Sequence, residues 1–341
     1  MATTRHPHPE PASCSASSVR LAEPLAGTGA QAVAWLAIEQ PGPWGKRALT
    51  ESHLDVHLGQ ELERRAAAAG VRIALIRRPG RHALTPDAEP DTASADPDTD
   101  TDTASAPARD RRVLLADTAP GRTALRSLTI TDPHQLLDLD LAALAAGDWT
   151  AGGLLSAAVP EPVPVLLVCT NGKRDRCCAL LGRALSLDLA ELMASAGADS
   201  VDVWECDHLG GHRFAPTALV LPTGYTYGRL DAASGAEAVA AARHGRVLTR
   251  LCRGRSTWNQ RGQAAELALR DELQEFAADA VLVTGERQTG DDTWDVGLTA
   301  HTVAYRVSVA QRAAAEPRAE SCGKAFGTPI ELSVLAVEKL G

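Results

Sequence analysis

The chain has no run of 18 or more apolar residues, so no segment of it reads as a membrane-spanning helix. Aromatic side chains are scarce, at 4% of residues. Positive charge is not in excess, because 34 Lys and Arg face 43 Asp and Glu for a net charge of −9. A chain without a basic field has little to draw in a phosphate backbone, and no nucleic-acid partner is expected. The N-terminus combines Arg5 with several prolines and no apolar core, so a secretory signal is not expected either. There is no G-x-G-x-x-G after a strand, no P-loop and no nucleophile elbow, which removes the motifs of nucleotide binding and serine hydrolysis. No hydrolase or transferase motif is found, and an oxidoreductase component is the enzyme class left open.

What is present is globular. The 341 residues are 45% hydrophobic, enough for two domains with real cores. Residues 1–20, rich in Pro, Ser, Ala and His, read as a flexible tail. Residues 21–155 read as an α/β domain. In it, strand Val33–Glu39, a helix from an N-cap at Ser52 to about Ala69, and strand Val71–Ile76 make a βαβ signature. Within this domain, 86–110 holds eight acidic residues against Arg109 alone and too few apolar groups to offset its ordering entropy. It is expected to be a disordered insertion. Strands at 112–116 and 125–130 and a helix through Leu136, Leu137, Leu141 and Leu144 complete the unit.

Residues 160–245 repeat the theme with strand Val163–Val168, helix Leu180–Ala196, strand Val201–Trp204, a hairpin around Pro222-Thr-Gly224 and a final helix at 236–242. This order suits a thioredoxin-like domain. Both halves open with an apolar strand and a helix, which raises an internal duplication. Residues 246–341 read as a small α+β extension: a helix over Gln260–Ala278, with Leu273 and Phe276 inward and its Glu and Arg outward, then strands at 281–284, 294–298 and 302–309.

Chemistry concentrates on two loops. Cys169-Thr-Asn-Gly-Lys-Arg-Asp-Arg-Cys177-Cys178 follows the first strand of this domain, and Cys206-Asp-His208-Leu-Gly-Gly-His212 follows the second. Thiolates with imidazoles suit zinc, copper or an iron–sulfur cluster, and suit magnesium or calcium poorly. Neither loop contains the C-x2-C knuckle of zinc ribbons. Two-Cys, two-His ligation of a [2Fe–2S] cluster is the Rieske arrangement, yet that pattern is a pair of C-x-H boxes, and this chain lacks the pair. A zinc site built from Cys206, His208, His212 and a cysteine of the first loop is the competing expectation, in a structural or weakly hydrolytic protein.

Seven cysteines, an odd number not framed as disulfide pairs, point to a reducing cytoplasm. Cys14, Cys252 and Cys322 stand scattered and read as structural, with Cys322 a candidate reactive thiol. Cys206 reads as core. Lys173-Arg174-Asp175-Arg176 reads as a solvated loop face that can meet an acidic redox partner. Arg213 is a candidate to hold a negative group, while Arg77, Arg78, Arg81, Arg253 and Arg255 read as solvated or paired with carboxylates.

The strings VCTNGKRDRCCALLG, VWECDHLGGHRFAPTALVLPTG and YTYGRLD resemble the sucrase/ferredoxin-like family. So do AWLAIEQPGPWG, RIALIRRPGR and RGRSTWNQRGQAAELALRDEL, and the likeness covers most of 20–325 apart from the acidic insertion. The resemblance implies a thioredoxin-like [2Fe–2S] ferredoxin domain at 160–245, with a second α/β domain before it and the α+β extension after it. It implies a cluster held by Cys169, Cys178, His208 and His212. Cys178 is preferred to Cys177 because the relatives' Arg-Asp-x-x-Cys string places a ligand three residues after Asp175. Electron transfer with an unidentified redox partner protein follows. The sucrase half of the family name finds no paired carboxylates here.

Overall fold

The computed structural model describes residues 13–80, 110–197 and 201–341. The acidic stretch expected to be disordered lies outside these residues except for Asp110, and so does 1–12. The tail itself needs correction. Ser13 caps a helix, α1 (Cys14–Arg20), by accepting from the Ala16 N–H, and Cys14, Ser15 and Ser18 are buried. Its serines disguise it, since no apolar stripe marks a helix whose small polar face packs on the turn at His212–Phe214.

Strand β1 (Ala34–Glu39) is an apolar run with five of six residues buried. Helix α2 (Val56–Ala69) starts later than expected: Asp55, not Ser52, accepts from the Leu58 N–H at 2.8 Å, and left-handed Gly70 ends it. Strand β2 (Val71–Arg77) then runs parallel to β1, with Ala34 opposite Val71. Strands β3 (Arg111–Asp117) and β4 (Ala124–Ile130) add on antiparallel. The single helix expected around Leu136–Leu144 is two pieces, a 3₁₀ turn (Pro133–Asp138) and α3 (Leu141–Ala146). Asp140 caps α3 through the Ala143 N–H and so restarts the helix. Helix α4 (Gly153–Ala157) and the short β5 (Val159–Pro160) follow.

The second unit begins with β6 (Val165–Cys169), buried along its whole length. One π-helical turn (Cys178–Gly182) leads into α5 (Arg183–Ala194) and then to β7 (Asp202–Cys206), parallel to β6. The expected hairpin is β8 (Ala218–Leu221) with β9 (Tyr225–Tyr227), and α6 (Ala232–Arg243) follows. Strand β10 (Cys252–Arg255) pairs with β9, so part of the stretch assigned to the C-terminal extension belongs to the main sheet. Helix α7 (Gln260–Leu273) packs on a separate antiparallel sheet of β11 (Val281–Gly290), β12 (Thr293–Ala300), β13 (Val303–Ala313) and β14 (Ile330–Lys339). Strand β14 was not among the expected strands. The charges of α7, expected outside, include Glu266 and Arg270, which are fully buried, 3.0 Å apart, and share the Tyr225 hydroxyl. Leu273, expected inside, is exposed.

The main sheet has ten strands in the order β10-β9-β8-β6-β7-β2-β1-β3-β4-β5. The two units expected as separate domains therefore share one sheet, and the fold is α/β. Each unit places its first strand between a parallel second strand and an antiparallel third, with the fourth antiparallel to the third, as in the thioredoxin arrangement. The likeness between halves that the sequence only suggested is thus a repeated topology. The halves meet through their equivalent second strands, β2 and β7, paired antiparallel at Ile76↔Cys206 and Arg77↔Glu205. Among the described residues, no helix is long and apolar enough to cross a membrane.

A buried charge sits on this seam. Glu205 is fully buried and accepts from Arg77 Nε at 2.9 Å, Thr170 Oγ1 at 3.1 Å and Ser186 Oγ at 3.3 Å, while Arg77 stacks on Trp44 at 4.1 Å. Removing one partner leaves an uncompensated charge in the core. Arg77→Met is expected to cost about 3–5 kcal/mol, and the double change Arg77→Met with Glu205→Met to recover much of it. The check is the midpoint of urea unfolding for the three proteins.

Candidate metal centres

The two chemically loaded loops leave the sheet side by side. Cys169 ends β6, Cys206 ends β7, and the two are register partners in a parallel pair. Both loops therefore start from adjacent strand carboxyl ends, the usual place for ligands in an open α/β sheet. The first loop returns through the π-helical turn that opens at Cys178, and widened turns of this kind recur at functional sites. Gly182 closes that turn. A Cβ there would lie 2.1 Å from the Cys169 carbonyl oxygen, so a side chain would push the loop off its strand. Asn171 ties the same loop to the other half by donating to the Gly45 carbonyl at 2.9 Å.

Two strands, β2 and β10, hold the histidine loop. Asp207 both donates its N–H to the Leu75 carbonyl and accepts from the Leu75 N–H, each at 3.0 Å. Arg72 donates to the His208 carbonyl at 3.3 Å. Buried Arg253 on β10 donates to the Gly210 carbonyl at 3.0 Å and to Thr28 Oγ1 at 3.1 Å. Gly210 and Gly211 both have positive φ, +80° and +71°.

These constraints bring Cys169, Cys178, His208 and His212 into contact. Cys178 Sγ is 3.5 Å from His212 Nδ1, and the two imidazoles stack with centroids 4.9 Å apart. Hydrogen bonds from the Cys178 thiol and His208 hold Cys169 well below the usual thiol range in spite of its burial. The same bond, with burial, pushes Cys178 well above it. Burial lowers His212, favouring the neutral imidazole that ligates metals. His208 Nδ1 is buried without a hydrogen-bond partner, a donor atom aimed at nothing the protein supplies. Cys206 stays in the core, where burial pushes its thiol well up.

Cys177 belongs to a different group. Its sulfur lies 3.6 Å from Cys14 and 3.3 Å from Cys322, and Cys14 and Cys322 are 3.5 Å apart. Asp175 joins them, with both carboxylate oxygens 3.7 Å from Cys14 Sγ. Hydrogen bonds from Cys14 and Ser15 bring Cys177 down to about 5 against the effect of burial. Among the described residues, these four form the one group of three or more His, Cys, Asp or Glu whose donor atoms all lie within 4.8 Å of one another. It is able to hold a metal ion and contains no histidine. Two expectations are corrected here: Cys14 and Cys322 are not scattered, and Asp175 is buried rather than part of a solvated face. No local pattern announces such a group, since its three cysteines stand 145 to 308 residues apart.

The arginines flagged in the sequence are mostly structural. Arg213 pairs with Glu23 at 2.6 Å and Glu320 at 3.3 Å, so its negative group comes from the chain itself. Arg78 pairs with Asp202 and lies over Trp204. Arg81 lies outside the described residues.

The two loop glycines separate conformational strain from contact. A Cβ on Gly210 would meet nothing within 4 Å, whereas one on Gly211 would sit 2.2 Å from the Arg253 guanidinium. Gly210→Ala is expected to cost about 1–2 kcal/mol for the left-handed backbone alone. Gly211→Ala should cost clearly more, because Arg253 must also leave its partners. Urea midpoints of the two variants give the comparison.

No curated protein and no solved structure matches the chain. The sucrase/ferredoxin-like family matches residues 25–254, a span that contains both Cys/His loops, and the chain belongs to that family.

Proposed function

We propose that this protein is an electron carrier holding one [2Fe–2S] cluster on Cys169, Cys178, His208 and His212. The reading rests on one observation: two thiols and two imidazoles meet at adjacent strand ends, with a buried imidazole nitrogen left unpartnered. Cys169 and Cys178 touch on one side and His208 and His212 on the other. That donor set suits a cluster with thiolate on one iron and imidazole on the other. The cluster supplies reversible one-electron chemistry when bound.

The residues around it set the conditions for that chemistry. Cys169 and Cys178 are almost fully buried, which keeps water from the thiolate side. His208 and His212 are only half-buried, so the imidazole side is where an electron enters from or leaves to a partner protein. Neutral imidazoles bring less negative charge than two further thiolates, which favours reduction. Buried Arg253, tied to the Gly210 carbonyl, sets a positive charge behind the histidine loop and offsets the charge of the added electron. The Leu209 N–H is among the groups that lower the Cys169 thiol, an influence of the kind that tunes potentials. Each ligating imidazole keeps one proton on its outer ring nitrogen. Loss of that proton makes the ring anionic and disfavours reduction, so the potential falls as pH rises through that ionisation. The seven free thiols suit a reducing compartment such as the cytoplasm.

Anaerobically purified protein is expected to be brown, to contain iron and acid-labile sulfide, and to give an EPR signal after dithionite reduction. A colourless, iron-free preparation would rule the cluster out in favour of zinc or no metal. The reduction potential should lie at about −300 to 0 mV, between the all-Cys plant type and the Rieske type. It should fall with pH between about 6 and 10 in square-wave voltammetry, as the imidazole ionisation requires. His208→Cys and His212→Cys should retain a cluster with a shifted visible spectrum and a lower potential. Cys169→Ser and Cys178→Ser should lose most of the iron.

A further inference from the structure

We propose that Cys14, Cys177, Cys322 and Asp175 bind one Zn²⁺ ion, a second metal centre that fastens helix α1 and the Ser321-Cys322 segment to the first cysteine loop. The argument begins with the sulfur triangle. Its edges of 3.3, 3.5 and 3.6 Å place its centre about 2.0 Å from each sulfur. An ion at the usual Zn–S distance of about 2.3 Å then stands about 1 Å above that plane, the position of a tetrahedral metal that takes a fourth ligand. Sulfurs this close fit one ion, not the separate irons of a cluster.

The fourth donor is at hand. Asp175 is buried, and its carboxylate is oriented by the Cys177 N–H at 2.8 Å, the Ser321 hydroxyl at 2.7 Å and the Cys322 N–H at 2.7 Å. Oδ1, which accepts only from the Cys177 N–H among these bonds, keeps a free lone pair, while Oδ2 is taken up by Ser321 and Cys322. Ser15 Oγ donates to Cys177 Sγ at 3.2 Å, which steadies the sulfur as a thiolate ligand. Three thiolates with one carboxylate oxygen suit zinc, whereas a soft copper(I) ion has no use for the carboxylate.

The mechanical consequence follows from the chain positions. The ligands come from α1, from the loop that carries Cys178, and from the connection between β13 and β14. Glu23 repeats the tie nearby, pairing with Arg213 beside His212 and with Arg318 at 2.9 Å. Zinc at the sulfur triangle fixes the cover that keeps Cys177 and Cys178 apart in function. None of the four residues proposed for the iron centre takes part, so the two readings can fail separately.

The test uses the full chain purified anaerobically. Metal analysis is expected to find one zinc per chain, with zinc-edge X-ray absorption fitted by three sulfurs at about 2.3 Å and one oxygen at about 2.0 Å. Cys14→Ser and Cys322→Ser should each lose the zinc while iron per chain stays unchanged. Ser321→Ala, which removes only a hydrogen bond to Asp175, should fold normally and bind Zn²⁺ roughly tenfold more weakly in a chelator competition. The proposal is overturned if wild-type protein holds no zinc and takes up none from zinc chloride, or if both cysteine variants retain it. A disulfide among Cys14, Cys177 and Cys322 in the anaerobic protein, detected by mass spectrometry, overturns it equally. If iron is absent while zinc follows the variants, the electron-carrier reading fails and this one stands.

Discussion

The parallel pairing of β6 with β7, in register to its last pair, is the constraint on which the site depends. It ends at Cys169 opposite Cys206, so two loops far apart in sequence start a strand spacing apart. Everything downstream is an adjustment of that start. The π-helical turn and Gly182 bring Cys178 back beneath Cys169, and Gly211 lets the histidine loop settle against Arg253. A slip of one residue between the strands would turn every side chain to the opposite face and part the cysteines from the histidines.

The same strands tie the site to the other half of the molecule. β7 is shared between the parallel pair that launches the loops and the antiparallel seam with β2. Glu205 stands one residue before Cys206 and receives both Arg77 from across the seam and Thr170 from the residue after Cys169. The seam therefore orients both loops as well as joining the halves. In the first half, the loop after β1 carries Trp44 and β2 ends on Arg77, and these two stack on each other. One half of the repeated topology carries the cysteine and histidine loops and the other supports them.

The chain outside the repeat completes the enclosure. Helix α1 lies on the turn at His212–Phe214, and the β13–β14 connection reaches over to Asp175 and Cys177. Glu23 binds both Arg213 and Arg318, joining the two covering segments through one buried carboxylate. Burial raises all four thiols, and the hydrogen bonds each makes decide the net direction. Cys169 and Cys177, which accept hydrogen bonds, are held down, and Cys178 and Cys14 are pushed up.

Much of this was legible in the chain, and the limit has a physical origin. Apolar runs such as Val165–Val168 and the spacing of Leu58 and Leu62 declare strands and helices, because burial of one face follows from local periodicity. The paired cysteine and histidine loops are short, so their donors stand out as words in the sequence. Helix α1 and strand β14 did not, since their faces are polar or half-exposed and packing decides them. The inward Glu266–Arg270 pair was invisible for the same reason: a charge reads as outward until a buried partner cancels its cost. Sequence alone thus determined the α/β character, the repeated strand–helix start and the two donor loops, all of which depend on neighbours along the chain. Tertiary structure alone decided that one sheet unites the halves, that Cys177 and Cys178 serve different groups, and that Cys14 meets Cys322. Those outcomes depend on contacts between residues hundreds of positions apart, for which a linear pattern carries no signal.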